Sequence, residues 1–232
     1  LRPSEAQQRK IKIPEILQRL YTNETARIYI EAADRYLERL GYTEHGFRHC
    51  RIVSTNAYRT LLTLGYSKEL ATVAAAAGYL HDIGNILGRR MHHEMGAILA
   101  RDILLEVGFS LPETIKAMTA IVIHEKDEGV VPDEVSAALV IADKADVHRS
   151  RVRNPDNVTE DIHDRVNYAA TQSNLVIEQN SRTVVLSLTI DTRISPVIEY
   201  FEIFLDRMMA CRKAAKVLNA EFNLYINNTR MA

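Results

Sequence analysis

The stretch Ala74-Ala-Ala-Ala-Gly-Tyr-Leu-His-Asp-Ile-Gly84 decides how the chain is read. Its four consecutive alanines suit a helix that neighbouring helices can approach closely, and Ser67 is placed to cap that helix ahead of Leu70. The helix ends by delivering His81 and Asp82 side by side, and Gly84 breaks it. An imidazole nitrogen and a carboxylate are both ligands for borderline to hard divalent ions, and adjacent residues at a helix terminus can converge on one point. A lone His-Asp pair carries little weight. Here all eight histidines fall between His45 and His163. His49 stands before the pair, His92 and His124 come after it, and Asp143-Lys144-Ala145-Asp146 lies further on.

Working outward, the first two thirds of the chain reads as helical. Asn23 caps a helix through Ala32 and Leu37 that stops at Gly41. Thr43 opens the next, in which His45, His49, Val53 and Ala57 recur every four residues and share one face, and Gly65 closes it. His92 leads a helix with Ile98, Leu99 and 103–105 as its apolar residues, ending at Gly108. Pro112 suits the first turn of a helix that ends near His124, and Pro132 does the same for the next. That last helix carries Val135, Ala138, Val140 and Ile141, so Asp143 arrives on a largely buried segment. A carboxylate there needs a partner, either a metal ion or Lys144.

Composition changes after about Thr171. Residues 174–178 and 183–190 read as strands joined by an Asn180-Ser181 turn. A long helix from Ser195 to Leu218 carries Ile198, Phe201, Phe204, Leu205, Met208 and Met209 at helical spacing, and 222–226 forms a last strand. The expected fold is therefore mainly α. A helical domain with N-terminal helices spans 1–172, and a small α+β subdomain over 173–232 has a two- to three-stranded sheet and one long helix packed directly on the helical body. The aromatics and methionines of that helix read first as core, and second as the seam of a homodimer.

Of the 232 residues, 47% are hydrophobic and 25% charged, the balance of an ordinary globular protein. No apolar run approaches a membrane span, and 1–12 is polar, so no membrane association and a cytoplasmic location are expected. Cys50 and Cys211 are the only cysteines and lie far apart in sequence, which excludes a Cys-rich zinc site and argues against a disulfide framework. A net charge of −1 supplies no global field for long nucleic acid. One local basic patch, Arg149, Arg151 and Arg153, comes after the acidic stretch; it reads either as a solvated loop or, beside a metal, as a phosphate contact.

A single His on an apolar helix face is more often a hydrogen-bonded core residue than a ligand. Taken together the histidines point elsewhere: five helical segments each bring a His or Asp to a helix end or a buried face, and a helical bundle can gather such groups around one centre. The order His49, His81-Asp82, His92, His124, Asp143 resembles that of the HD superfamily of metal-dependent phosphohydrolases. The likeness covers roughly residues 40–153, and a bacterial subgroup with a similar small α/β tail extends it over nearly the whole chain. The resemblance implies an HD-domain helical bundle in which His49, His81, Asp82 and Asp143 bind one metal while Asp82, His92 and His124 hold a second. His45 matches the position where the HD-GYP cyclic-dinucleotide phosphodiesterases place a further acidic ligand, and serves here as an extra ligand or an outer group. His92 and His93 are not told apart by spacing alone.

Two departures bear on substrate. The Gly-Tyr-Pro signature of the HD-GYP proteins is replaced by Gly129-Val-Val-Pro132, and one His rather than two precedes Glu125, which argues against a cyclic dinucleotide. The Lys that often comes after His-Asp-x-Gly is Asn85 here, leaving Arg89, Arg90 or Lys144 to supply its phosphate contact. The expected activity is hydrolysis of a phosphoester, of a nucleotide or related small molecule by family analogy, through a hydroxide bridging two divalent ions. Metal coordination lowers the pKa of water from about 15.7 toward about 7. Asp82 is the central residue, and Lys144, Arg149 and Arg151 are the expected catalytic cations. With no Cys or Met in the shell, Mn, Fe, Co, Ni, Zn and Mg all suit it. A di-iron oxygenase using the same ligands and a non-catalytic sensing or dimerising module are the alternatives.

Overall fold

Helix α4 (Lys68–Leu80) is buried from Ala71 to Leu80 because its residues are small or apolar all round, and it forms the axis of the structure. The computed structural model describes residues 13–125, 130–158 and 160–231; the polar start at 1–12 and Gly129 lie outside them. Ahead of α4 come α1 (Glu15–Thr22), α2 (Glu24–Arg39) and α3 (Phe47–Thr63). Behind it come α5 (His92–Val107), α6 (Leu111–Ile123), α7 (Glu134–Lys144) and α8 (Ile162–Ala169). Helices α1, α3, α5, α6 and α7 all touch α4. Gly78 lets α3 approach, since a Cβ there would sit 3.1 Å from the Ser54 backbone.

The ends of these helices are set by local chemistry. Asn23 and Ser67 accept from the amides of Ala26 and Leu70, as their positions predict. Ser110 and Glu113 form a capping box at the start of α6, with Pro112 in its first turn. Two predicted starts move. The helix expected from Thr43 begins at Phe47, because Gly46 is its N-cap and Asp34 holds the His45 amide at 2.8 Å in the preceding loop. Helix α7 is capped by Asp133, whose side chain accepts from Ser136, so Pro132 stands outside the helix rather than in its first turn.

The C-terminal part is a four-stranded sheet in the order β1-β2-β3-β4, formed by β1 (Ala170–Glu178), β2 (Thr183–Ile190), β3 (Glu221–Ile226) and β4 (Thr229–Arg230). Strand β1 pairs antiparallel with β2, and β2 pairs parallel with β3 from Thr183↔Glu221 to Leu188↔Ile226. A parallel pair needs a long crossover, and α9 (Val197–Val217) supplies it. The sheet thus exceeds the two or three strands expected: β4 is only two residues long. It comes after Asn227-Asn228, both at positive φ, a hairpin turn of the kind Asn favours. Strand β1 begins at Ala170, inside the span assigned to the helical part, so a division at 172/173 cuts a strand. Tyr200, Phe204, Met208 and Cys211 of α9 join the same hydrophobic core as α4, and α9 packs on α7. Among the described residues, no helix is long and apolar enough to cross a membrane.

Gly84 fixes the contact that sets Asp82 against the start of α5. It lies in a 3-10 turn (Ile83–Leu87) directly after His81-Asp82, and a Cβ there would fall 1.9 Å from the His92 carbonyl oxygen and 2.3 Å from the Gly96 nitrogen. Backbone meets backbone at this point, so the end of α4 and the first turn of α5 are held at a fixed distance. Gly84→Ala is expected to lower stability by about 1–3 kcal/mol or more through forced separation of the two segments. Urea denaturation measures it, and an unchanged midpoint would show that the contact yields freely.

Candidate metal centre

The C-termini of α4, α6 and α7 converge, bringing with them His81, His124 and Asp143. Helix C-termini carry partial negative charge, so three of them pointing at one place favour a cation there. His49, on the buried face of α3, and His92, the first residue of α5, complete the cluster with Asp82. The structure thus brings together all six residues that the sequence singles out as ligands. Their donor atoms form three overlapping groups: His49, His81 and Asp82; His81, His124 and Asp143; Asp82, His92 and His124. Within each group the atoms lie within 4.8 Å of one another.

The orientation of each ring is set by its outer nitrogen. His81 Nδ1 donates to the Gly78 carbonyl at 2.9 Å, His92 Nδ1 to that of Arg89 at 2.9 Å, and His124 Nδ1 to that of Ile121 at 2.6 Å. His49 Nδ1 donates instead to Asp146 Oδ2 at 2.7 Å. With every Nδ1 carrying its proton outward, each neutral ring presents an Nε2 lone pair inward. His49 Nε2 and His81 Nε2 stand 3.2 Å apart, and His92 Nε2 and His124 Nε2 3.4 Å. Lone pairs at that separation repel unless a proton or a metal ion lies between them. Donor separations near 3.3 Å are also what tetrahedral coordination at about 2.0–2.1 Å produces. The residues fit a divalent ion.

Asp82 presents its two oxygens to different partners. Oδ2 lies 3.1 Å from His81 Nε2 and 3.7 Å from His49 Nε2, while Oδ1 lies 3.6 Å from His92 Nε2. Asp143 Oδ1 is 3.3 Å from His49 Nε2 and 3.6 Å from His81 Nε2. Burial alone would raise both carboxyls, yet His81 beside Asp82, and Lys144 with the histidines beside Asp143, hold them well below the usual carboxylate range. Burial likewise works against a charged His81, but Asp82 and Asp143 outweigh it and push this imidazole up to about 10. His124, by contrast, is pushed down to about 3, by burial first and then by the charge on His81. The proton on His81 thus offsets part of the carboxylate charge of the cluster.

Residues 46–149 match the HD domain family. The chain carries an HD domain. An uncharacterized protein of Methanocaldococcus jannaschii is 31% identical over 137 residues, which cover 50% of this chain and 53% of that protein. This chain therefore spans about half the length of the curated relative it matches. No solved structure matches it significantly. The HD domain ends ahead of α8, the sheet and α9, so those elements are additions to it.

Around the HD cluster lies a shell that the sequence reading largely missed. Asp146 orients His49 and is itself clamped by Arg48 through two bonds of 3.1 and 2.8 Å. Glu125 contacts His92 Nε2 at 3.0 Å and pairs with Arg89, whose guanidinium also reaches His92 Nε2 at 3.1 Å. Asn85, in place of the common Lys, donates to Asp82 Oδ1 at 3.1 Å. The signals were adjacency: Arg48 precedes His49, Glu125 comes after His124, and Asp146 stands three residues after Asp143. His45 directs Nδ1 to the Thr43 carbonyl at 2.6 Å and packs its ring 5.4 Å from that of His49, outside the three ligand groups. Burial, then Arg151, keeps it well below the ordinary His value and so neutral. His93 faces Glu94 at 3.0 Å and is not in the ligand groups either.

The expected catalytic cations fall in different places. Lys144 is buried, with Nζ held by the His124 carbonyl at 2.8 Å and lying 3.4 Å from Asp143, and it lines the cleft beside His92 and His124. Arg151 is almost fully buried and gives its donors to the carbonyls of Asp146 at 2.9 Å and Glu44 at 3.2 Å, so it braces the His49 support rather than facing a phosphate. Arg149 stacks 5.1 Å from Tyr168 and lines neither cleft at the cluster. Arg153 is tied to Asp34 and the Tyr42 carbonyl. The basic segment fastens the loop after α7 to α2 and the start of α3.

Asp146→Asn should keep the fold but weaken divalent ion binding about 10–100-fold, because His49 loses the charged group that sets its tautomer. Equilibrium dialysis with Mn2+ decides this, and unchanged affinity would assign Asp146 to structure alone. His81 must also lose its proton to serve as a ligand. Apparent affinity should therefore climb about tenfold per pH unit through neutrality and flatten near the metal-free value of about 10. Calorimetry at pH 7 in buffers of different ionisation enthalpy should show about one proton released, and none released would contradict the raised His81. In the metal-free protein the same shift stabilises the fold fully below the ordinary value of 6.5, and that contribution is lost as pH rises through about 10.

Proposed function

We propose that the protein is a metal-dependent phosphohydrolase with a dinuclear centre, acting on a small phosphate ester, with nucleotides the first class to test. The observation that carries this reading is Asp82, whose Oδ2 faces His49 and His81 while its Oδ1 faces His92. A carboxylate in that position would be able to serve two ions. The set His49, His81, Asp82 and Asp143 would hold one ion, and Asp82, His92 and His124 the other. Divalent ions there supply Lewis acidity toward phosphoryl oxygens and make water acidic enough to yield a nucleophile near neutral pH.

The chain's own groups do the rest. Four rings locked through Nδ1 keep the donor atoms in place without reorganisation. Asp143 is the most exposed of the six, with 19% of its side chain accessible, so the cluster opens toward solvent on that edge. Lys144 and Arg89 line the cleft next to it and set positive charge where phosphoryl oxygens would gain negative charge. The cleft holds about 690 Å³, within the roughly 300–1,000 Å³ typical of small-molecule sites. Membership of a superfamily of metal-dependent phosphohydrolases supports the reaction class, while the choice of substrate rests on analogy.

Phosphate release should be detectable from at least one member of a broad panel of nucleotides and phosphate esters with Mn2+ present. Asp82→Ala should abolish it together with metal binding. Full turnover by the Asp82 variant would end this mechanism. Oxygen uptake by an iron-loaded centre with no phosphate released would replace hydrolysis by the oxygenase chemistry of related clusters.

A further inference from the structure

Arg207 lies outside the residues matched to the HD domain, on α9, yet it lines the cleft that reaches His92 and His124 and also a neighbouring cleft beside His45. One cleft runs from His92, His124 and Glu125 to α9. The other passes His45, Arg89 and Arg151. Among the described residues no carboxylate lies within ion-pair reach of Arg207, and its guanidinium is positioned by stacking 4.7 Å from the Phe204 ring. Phe204 is itself a buried core residue, so the platform beneath Arg207 is rigid. Arg89, Lys144 and Arg151 are each committed to a partner from the chain, whereas among the described residues Arg207 has no ion-pair partner.

Arg207 shares its clefts with Glu125 and Asp206 on one side and with Asp161 and Asp164 on the other, but among the described residues none of these pairs with it directly, so an incoming anion would meet the guanidinium without displacing a salt-bridge partner. Burial lowers the Arg207 proton affinity, and the charges that act on it next are those of Asp143, Arg151, Glu125 and Arg89, all around the candidate centre. The group nonetheless stays charged, as guanidinium does in proteins. The cleft wall continues its sign, with Arg90 and Lys213 exposed along it and Asp206 the only carboxylate that α9 adds. One phosphoryl group held at the cluster would occupy Lys144 and Arg89. The cations on α9 stand along the same cleft as a second anion subsite.

Resting on the phosphohydrolase reading, we infer that Arg207 binds a second phosphate of the substrate, so that the substrate class is phosphoanions carrying at least two phosphates rather than monophosphate esters. A planar fork with two parallel donors suits a phosphate, and its removal costs at least about tenfold in affinity. Arg207 is a binding and specificity residue in this reading, and α9 is the element by which the added subdomain selects what the HD domain processes.

The test is calorimetric titration of the full chain, loaded with Mn2+, using methylenediphosphonate as a non-hydrolysable diphosphate and inorganic phosphate as the single-phosphate control. Wild type should bind the diphosphonate at least about tenfold more tightly than phosphate. Arg207→Gln should remove that preference while leaving phosphate affinity, metal content and melting temperature unchanged. Arg207→Lys, which keeps the charge and the stem over Phe204, should retain part of it and serves as the folded variant should the Gln form be unstable. Equal diphosphonate affinity in wild type and both variants would overturn the inference, as would a loss shared equally by phosphate. Wild type that holds no Mn2+ and binds neither anion would overturn the phosphohydrolase reading and this inference with it, whereas normal Mn2+ content with indifference to Arg207 would overturn the inference alone.

Discussion

Everything at the centre depends on four Nδ1–H groups that donate outward. Three of them find the carbonyl three residues earlier, and at the ends of α4 and α6 those carbonyls lack helical partners. One local bond therefore caps the helix, fixes the tautomer and turns the Nε2 lone pair inward. Repeated around one point with two carboxylates and three helix C-termini, it builds a pocket of negative potential with too few protons to satisfy it. The raised proton affinity of His81 and the depressed carboxyls of Asp82 and Asp143 are two views of that single imbalance.

The surrounding fold keeps the imbalance from relaxing. An apolar α4, buried along its whole last two turns, cannot rotate His81 toward solvent without exposing its core face. The Gly84 contact with His92 prevents α5 from drifting away from the Asp82 carboxylate. His49 would be the loosest ring, since it sits within α3 with no free helix-end carbonyl to hold it. Asp146 supplies the acceptor instead, and Arg48 and Arg151 hold Asp146 in turn. Among the basic residues after α7, Arg151, expected from the sequence to face phosphate, spends its donors on the Asp146 and Glu44 carbonyls and so contributes to the support of the centre.

What could be read in the sequence was what local chemistry controls. The run Ala74-Ala-Ala-Ala77 announced a buried helix and Ser67 its start, Asn23 and Pro112 marked the starts of α2 and α6, and the order of His and Asp residues announced a cluster that the bundle does assemble. Short or paired features escaped. Strand β4 is two residues long and shows only through the Asn227-Asn228 turn. The true start of α3 depends on Asp34, eleven residues away from the amide it holds. Arg207 had one visible sign, a lone cation beside the apolar face formed by Tyr200, Phe204, Met208 and Cys211. Its meaning needs α9 packed on α7, a contact no periodicity encodes.

The two ligand sets differ in what an incoming ion must displace. On the His49 side an incoming ion must displace the proton that Asp82 and Asp143 hold on His81, which costs a pH-dependent amount. On the His92 side, Asn85 already donates to Asp82 Oδ1 and Arg89 reaches His92 Nε2, so a guanidinium stands close to where an ion would sit. An ion held by that set would compete for His92 Nε2 with Arg89, which is anchored by its pairing with Glu125. Proposed occupancy is therefore ordered, with the His49 side filling at lower concentration. Arg89 also lines the cleft beside Lys144 and Arg207, so the guanidinium that an ion would contest at His92 stands where an anionic substrate would arrive.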